Sequence, residues 1–131
     1  MAKKKIVLCD TKILIELSKN NQAIALQLKN IGYSNIAISS VWDGEFIFGA
    51  LNKTELVKIK KALDAIQIIH VNEAVSERAL ELLENHSLSH NLTVPDALIA
   101  ATTLIYGVQL YTLNLKDFKY IDGIVLYRSK S

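Results

Sequence analysis

The stretch KIVLCDTKILIEL, residues 5–17, decides the fold of this chain. Its four consecutive apolar residues, Ile6 to Cys9, are too few for an independent helix and favour a strand buried on both faces, as in the middle of a parallel sheet. Asp10 ends this run, and a helical pattern begins immediately after it. The carboxyl end of such a strand is where α/β folds bind ligands. Asp10 is therefore either the N-cap of a helix or part of a ligand site.

The composition predicts a single globular domain spanning residues 1–131. Hydrophobic residues make up 50% of the chain and charged residues 21%, which excludes a disordered protein. The net charge is +2, and three of the 15 basic residues are the lysines at positions 3–5. The rest of the chain therefore lacks the basic surplus of a generic nucleic-acid binder.

Neither a secretion signal nor a membrane span is predicted. The basic start is followed by too few apolar residues for a signal peptide, and no run approaches the ~20 residues needed to cross a bilayer. The single Cys9 cannot form an intramolecular disulfide and suits a reducing compartment. We therefore expect a cytoplasmic protein with no membrane partner.

Strand and helix patterns alternate along the chain, which predicts a mostly parallel sheet with helices on both faces. The predicted strands are Ile6–Cys9, Ile36–Ile38, Ile66–Val71, Leu110–Thr112 and Ile124–Tyr127. After the helix that follows Asp10, the predicted helices are Gln22–Ile31, Val41–Leu51, Asn52–Ala65, Glu73–Asn85 and Asp96–Tyr106. The segment His86–Thr93 is predicted to be a polar loop.

Two further acids stand near the predicted carboxyl edge of the sheet. Asp96 lies at the start of the last long helix. Asp117 lies a few residues after the predicted strand Leu110–Thr112. Each acid also fits a helix cap, because Thr93 and Asn114 stand three residues before them. The sequence thus leaves open whether these acids cap helices, form a site, or do both.

A fourth acid, Glu45, has only apolar residues or glycine at helical spacing on either side. It is either partly exposed or paired, since an unpaired buried charge is costly. If Glu45 joined Asp10, Asp96 and Asp117 at one edge, the carboxylates would repel one another and raise each other's pKa. Mg²⁺ or Mn²⁺ resolves such a conflict, because hard cations prefer carboxylate oxygen. A single cysteine and scattered histidines argue against zinc.

The segments VLCDTKILIEL, SSVWDGEFIFGAL, VPDALIAATTLIYGVQLYT and TLNLKDFKYIDGIVLY resemble, in order and spacing, those of PIN-domain nucleases, especially the VapC-type toxins of type II toxin–antitoxin pairs. The resemblance extends from about residue 6 to residue 127. It implies a three-layer α/β/α sandwich with a central, mostly parallel sheet. It also implies a metal-dependent endoribonuclease acting on single-stranded or structured RNA, a homodimer, and inhibition by a small cognate antitoxin protein.

The resemblance also assigns site residues. It places the family's acids, which bind Mg²⁺ or Mn²⁺ and carry catalysis, on Asp10, Glu45, Asp96 and Asp117. Thr11 and Asn114 fall on polar positions beside them. The apolar segment around Glu45 is interpreted either as a fully buried helix or as a groove for the antitoxin or a second copy of the chain.

Lys12 departs from the family pattern, which usually reads D-T-N where this chain has D-T-K. Its ammonium group could pair with Asp10 and compete with a cation, bind a scissile phosphate, or point to solvent. The alternative function is therefore a catalytically impaired PIN-fold module that binds RNA or protein.

Overall fold

A four-stranded parallel sheet forms the centre of the computed structural model, which describes residues 6–41, 52–64 and 66–128. In this described part, the strands are β1 (Val7–Cys9), β2 (Ile36–Ser39), β3 (Gln67–Ile69) and β4 (Gln109–Tyr111). Their order is β3-β2-β1-β4, and every neighbouring pair is parallel. The first strand is central and wholly buried, as its apolar sequence predicts.

Five α-helices surround the sheet in the described ranges: α1 (Thr11–Ser18), α2 (Gln22–Ile31), α3 (Lys53–Asp64), α4 (Glu73–His90) and α5 (Val94–Tyr106). Short 3₁₀ helices occupy Tyr33–Asn35 and Leu115–Asp117. Helices α4 and α5 pack against each other as a helical hairpin. No described helix combines the length and apolar character that a bilayer crossing needs.

Alternate residues of the strands face two separate cores. Leu8, Ala37 and Leu110 pack with apolar residues of α4 and α5. Cys9 and Ile38 pack on the other face, with apolar residues of α1 and α2. Because successive side chains of a strand point to opposite faces, both sides of the sheet are covered. The predicted three-layer α/β/α architecture is confirmed.

Helix α5 is fixed at both ends by residues the sequence predicts. The Thr93 hydroxyl accepts a hydrogen bond from the Asp96 backbone N–H at 3.3 Å, and Gly107 ends the helix with a φ of 66°. A left-handed residue at this position suits glycine, which has no Cβ to clash. The helix lies close to the sheet because its buried face includes the small residues Ala97, Ala100 and Ala101.

The loop predicted over His86–Thr93 is wrong, because α4 continues to His90. This segment contains no glycine or proline, so nothing in it breaks the helix. Its polar residues suit a helical turn that faces solvent. The helix ends instead at Asn91, which adopts a left-handed conformation with a φ of 54°.

The last predicted strand, Ile124–Tyr127, is also wrong as a regular strand. Only Leu126 forms an isolated parallel bridge, and its partner is Leu110 of β4. Leu110 donates its N–H to the Val125 carbonyl at 2.9 Å and accepts from the Tyr127 N–H at 2.8 Å.

The helix predicted over Val41–Leu51 lies almost wholly outside the described residues. Its start is described, since Val41 is helical and its N–H donates to the Ser39 hydroxyl at 3.2 Å. Glu45 and the apolar residues around it belong to the segment 42–51, which the structure does not describe.

Candidate active site

Asp10 lies at the carboxyl end of the central strand and is only 4% exposed. One carboxylate oxygen, Oδ1, accepts the Lys12 backbone N–H at 3.2 Å, so Asp10 is the N-cap of α1. The other oxygen, Oδ2, accepts the Thr112 hydroxyl at 2.8 Å. The N-cap interpretation is therefore confirmed, and the same carboxylate is also held from β4.

Thr112 is a site residue that the sequence analysis did not identify. Tyr111 lies opposite Cys9 in the parallel pairing of β4 with β1, so the next residues of both strands, Thr112 and Asp10, meet at the same edge. The Thr112 hydroxyl also accepts the Asn114 N–H at 3.1 Å, which fixes its orientation. The register of β1 and β4 is the signal that identifies it, and no local sequence pattern specifies this register.

We expect Thr112→Val to destabilise the protein by about 1–3 kcal/mol, because a buried carboxylate oxygen loses its donor. Both partners of this hydrogen bond are 4% exposed, so water cannot readily replace the hydroxyl. Urea unfolding followed by circular dichroism measures the change. Thr112→Ser keeps the hydroxyl and is the matched control. A loss in Thr112→Ser with none in Thr112→Val would show that the methyl group matters and the hydrogen bond does not.

Asp96 lies in the first turn of α5, where its charge interacts with those of the other acids. Burial raises the pKa of Asp96, and the negative charge of Asp10 raises it further. A hydrogen bond with the Thr93 side chain lowers it, the charge of Asp117 raises it, and the Lys12 cation lowers it. The structure thus brings Asp10, Asp96 and Asp117 within electrostatic range of one another, with Lys12 nearby.

Asp117 ends the 3₁₀ helix that follows β4 and is exposed. Its backbone N–H donates to the Asn114 carbonyl at 3.0 Å. The Asn114 side chain forms no capping hydrogen bond, so the cap predicted for this turn is wrong. The turn is closed by the backbone instead, which leaves the Asn114 amide free of that role.

Lys12 stands on the first turn of α1 with its side chain exposed. In the described part of the chain it forms no ion pair within 4.0 Å of an acid, so a contact pair with Asp10 is not observed. Its charge nevertheless lowers the pKa of Asp96. Thr11, the other predicted supporting residue here, is the first residue of α1.

The carboxylates of Asp10, Asp96 and Asp117 suit a hard divalent cation. The described residues do not surround such an ion with a complete set of ligands. Among residues 6–41, 52–64 and 66–128, no three Asp, Glu, His or Cys side chains are grouped closely enough to hold a metal ion. The acids that do interact offer carboxylate oxygen, which Mg²⁺ and Mn²⁺ prefer, and these ions keep several waters. Asp10 can accept further bonds, because a carboxylate has about four lone-pair sites.

Cys9 adjoins Asp10 in sequence but faces the core. Burial and then the charge of Asp10 raise the pKa of its thiol to about 12. The group is therefore protonated at neutral pH, whereas only the thiolate is a good nucleophile and metal ligand.

Three rings next to these acids form a second feature that the sequence analysis did not predict. The rings of His90 and Tyr120 stack with centroids 3.9 Å apart and planes 9° apart, and His86 packs edge-on against Tyr120 at 4.9 Å. Burial raises the pKa of Tyr120, and the charges of Asp117 and Asp96 raise it further. His86 and His90 are thus neighbours in the fold. Through Tyr120 they lie close to Asp96 and Asp117, at the acidic carboxyl edge of the sheet.

A parallel sheet with acids at its carboxyl edge is the arrangement of a PIN domain, and the chain belongs to this family. The PIN domain model matches residues 7–124. A comparison with curated proteins finds no match.

Solved structures of other proteins share the fold of this chain. A toxin–antitoxin complex from Klebsiella pneumoniae contains a chain 31% identical to this one, with 91% of this chain and 95% of that chain covered and a TM-score of 0.77. VapBC2 from Rickettsia felis bound to a DNA fragment from its promoter is 24% identical, with coverage of 95% and 99% and a TM-score of 0.79. VapBC-1 from nontypeable Haemophilus influenzae is 23% identical, with coverage of 93% and 96% and a TM-score of 0.77. The resemblance to VapC-type PIN proteins is confirmed.

Proposed function

We propose that this PIN-domain protein is an endoribonuclease that hydrolyses phosphodiester bonds of single-stranded RNA with Mg²⁺ or Mn²⁺. The observation that supports it most strongly is that the charges of Asp10 and Asp117 both act on the Asp96 carboxylate near the carboxyl edge of the sheet. Such a gathering of acids raises the energy of the empty site, and a divalent cation offsets this cost.

The positions of Asp10, Asp96 and Asp117 support a role for each, and Glu45 receives its role from the family resemblance alone. Asp10 and Asp96 would be the principal metal ligands, because the Thr112 hydroxyl holds the Asp10 carboxylate and the Thr93 hydroxyl accepts the backbone N–H of Asp96. Asp117 is exposed and would act directly or through water, as would Glu45. The Thr112 hydroxyl fixes the Asp10 carboxylate through Oδ2, and each oxygen has a further lone pair beyond the bonds to Thr112 and Lys12. A bound divalent ion would lower the pKa of a water molecule and neutralise charge on the phosphate.

The protein's partners belong to the same proposal. The Klebsiella relative is described as a toxin–antitoxin complex, and its identity to this chain is 31%. We therefore propose a cognate antitoxin that inhibits the nuclease, and a homodimer as the form that binds it. The buried free thiol of Cys9 is compatible with the reducing cytoplasm, where we expect the protein to act.

The experiment that tests the function is cleavage of defined RNAs, structured and unstructured, by the purified protein with Mg²⁺, with Mn²⁺ and with a chelator. We expect cleavage that requires a divalent cation and is lost in Asp10→Asn. Full activity of Asp10→Asn, purified in parallel so that a contaminating nuclease can be recognised, would contradict the proposal.

The second candidate function, a PIN module that binds RNA or a protein partner without hydrolysis, is supported by Lys12. Its cation lies near enough to lower the pKa of Asp96, and it would repel a metal ion at the same place. Lys12→Asn restores the usual family residue. RNA cleavage by Lys12→Asn and none by the wild type would favour this second function, whereas equal activity would show that Lys12 does not impair the site.

A further inference from the structure

The rings of His86, His90 and Tyr120, which we call the aromatic wall, border the acidic edge of the sheet. His86 and His90 lie one turn apart on α4, and Tyr120 follows the 3₁₀ helix that ends at Asp117. All three pairs of rings are in contact, with centroids between 3.9 and 5.6 Å apart. We propose that this wall binds one base of the RNA by stacking on His90, next to the phosphate that the acids act on. The inference rests on the proposed function.

The charged groups that act on Tyr120 indicate where the aromatic wall lies relative to the acids. The negative charges of Asp117 and Asp96, which stand on different elements, both raise the pKa of its hydroxyl. Tyr120 also lies only three residues after Asp117, so the wall is close to this acid and within electrostatic range of Asp96. A nucleotide whose phosphate reached these acids would therefore bring a neighbouring base to the rings.

His90 is the ring that can receive a base. It is exposed, and Tyr120 covers one of its faces in a nearly parallel stack. The Ser89 hydroxyl is 2.8 Å from His90 Nδ1, which further fixes the ring. A ring that is held in place loses little conformational freedom on binding, and aromatic faces are what single-stranded RNA-binding proteins use to stack bases.

The Tyr120 hydroxyl gives a second reason to expect a ligand here. It is buried, and in the described part of the chain it has no hydrogen-bond partner. Leaving such a group unsatisfied is unfavourable, so the site gains from a ligand oxygen or a water that a ligand orders. Segment 86–93 contains no lysine or arginine, so stacking is the grip on RNA that the α4 side of the wall offers.

The test measures binding of a short single-stranded RNA by fluorescence anisotropy, with a chelator present to prevent cleavage. Each nucleotide in turn is replaced by an abasic one. Stacking predicts one position at which loss of the base weakens wild-type binding roughly five- to tenfold, whereas in His90→Ala the same abasic RNA and the intact RNA bind alike. His90→Phe keeps an aromatic face and is expected to restore the difference.

His70→Ala is the matched control, since His70 is also exposed but contacts none of the three rings. A merely structural role of the wall predicts lower thermal stability of His90→Ala and equal effects of every abasic position. Such a pattern overturns the inference, as does wild-type protein that binds none of the RNAs. Cleavage is measured separately. A wild type that shows the abasic effect but never cleaves RNA would contradict the proposed nuclease activity and support base stacking on the aromatic wall.

Discussion

Asp96→Asn is expected to reduce metal-dependent RNA cleavage at least about 100-fold, because loss of a direct metal ligand should exceed the 10- to 100-fold effects of outer-shell residues. The carboxamide is nearly isosteric and keeps the side chain at the first turn of α5, where the Asp96 N–H remains bonded to Thr93. The fold should therefore be preserved, and the loss should fall on chemistry.

The control for this prediction is Asp64→Asn. Asp64 is exposed and ends α3 just before β3 begins, which places it at the amino-terminal edge of the sheet. Initial rates on one RNA at several Mg²⁺ concentrations separate weaker metal binding from slower chemistry. If Asp96→Asn cleaved RNA as fast as Asp64→Asn, Asp96 would have no part in the reaction.

The second prediction is that a divalent cation and the loss of the charge at residue 96 relieve the same repulsion. Either one should stabilise the protein, and the cation should add little once the charge is gone. A cation at 100 times its dissociation constant adds about 2.7 kcal/mol, which for a domain of this size corresponds to a rise of roughly 8 °C in Tm. We expect Mn²⁺ to raise the Tm of the wild type and to have little effect on Asp96→Asn. Differential scanning calorimetry with Mn²⁺ and with chelator measures both.

In the chelator, Asp96→Asn is expected to melt no lower than the wild type. The folded protein raises the pKa of Asp96 above its ordinary value of 3.8, so the folded state binds the proton more tightly than the unfolded state. Stability is therefore lost as pH rises from that ordinary value through the raised one. Asparagine does not ionise, so the advantage of the variant should grow over this range and then level off. An advantage that shrank with rising pH would contradict the charge cluster.

The central fold could be predicted from local sequence because its signals are strong. The four apolar residues before Asp10 favour a buried strand, and Thr93 and Gly107 define the ends of α5 through their own conformational preferences. The Asn72 side chain accepts the Val75 N–H at 2.9 Å, and asparagine is one of the preferred N-cap residues. Signals of this kind lie within a few residues of the element they determine.

The rest depends on contacts between distant parts of the chain. The pairing of Asp10 with Thr112 spans 102 positions and follows from strand register, which has no local signature. The sequence does not predict the aromatic wall, because its polar pattern favours a loop at His86 and His90, whereas the continued helix α4 brings both to Tyr120. Glu45 lies outside the described residues, so its place in the site stays a prediction.

The most direct test of the account is the location of a bound Mn²⁺ ion, read from paramagnetic broadening of backbone amide signals in the NMR spectrum of the wild type. We predict that signals of residues 10–12, 96 and 112–117 broaden first, at the carboxyl edge of the sheet. Signals from the amino-terminal edge, at residues 35 and 109, should broaden last. Broadening centred on that opposite edge, or none at millimolar Mn²⁺, would contradict the claim that these acids form a metal site.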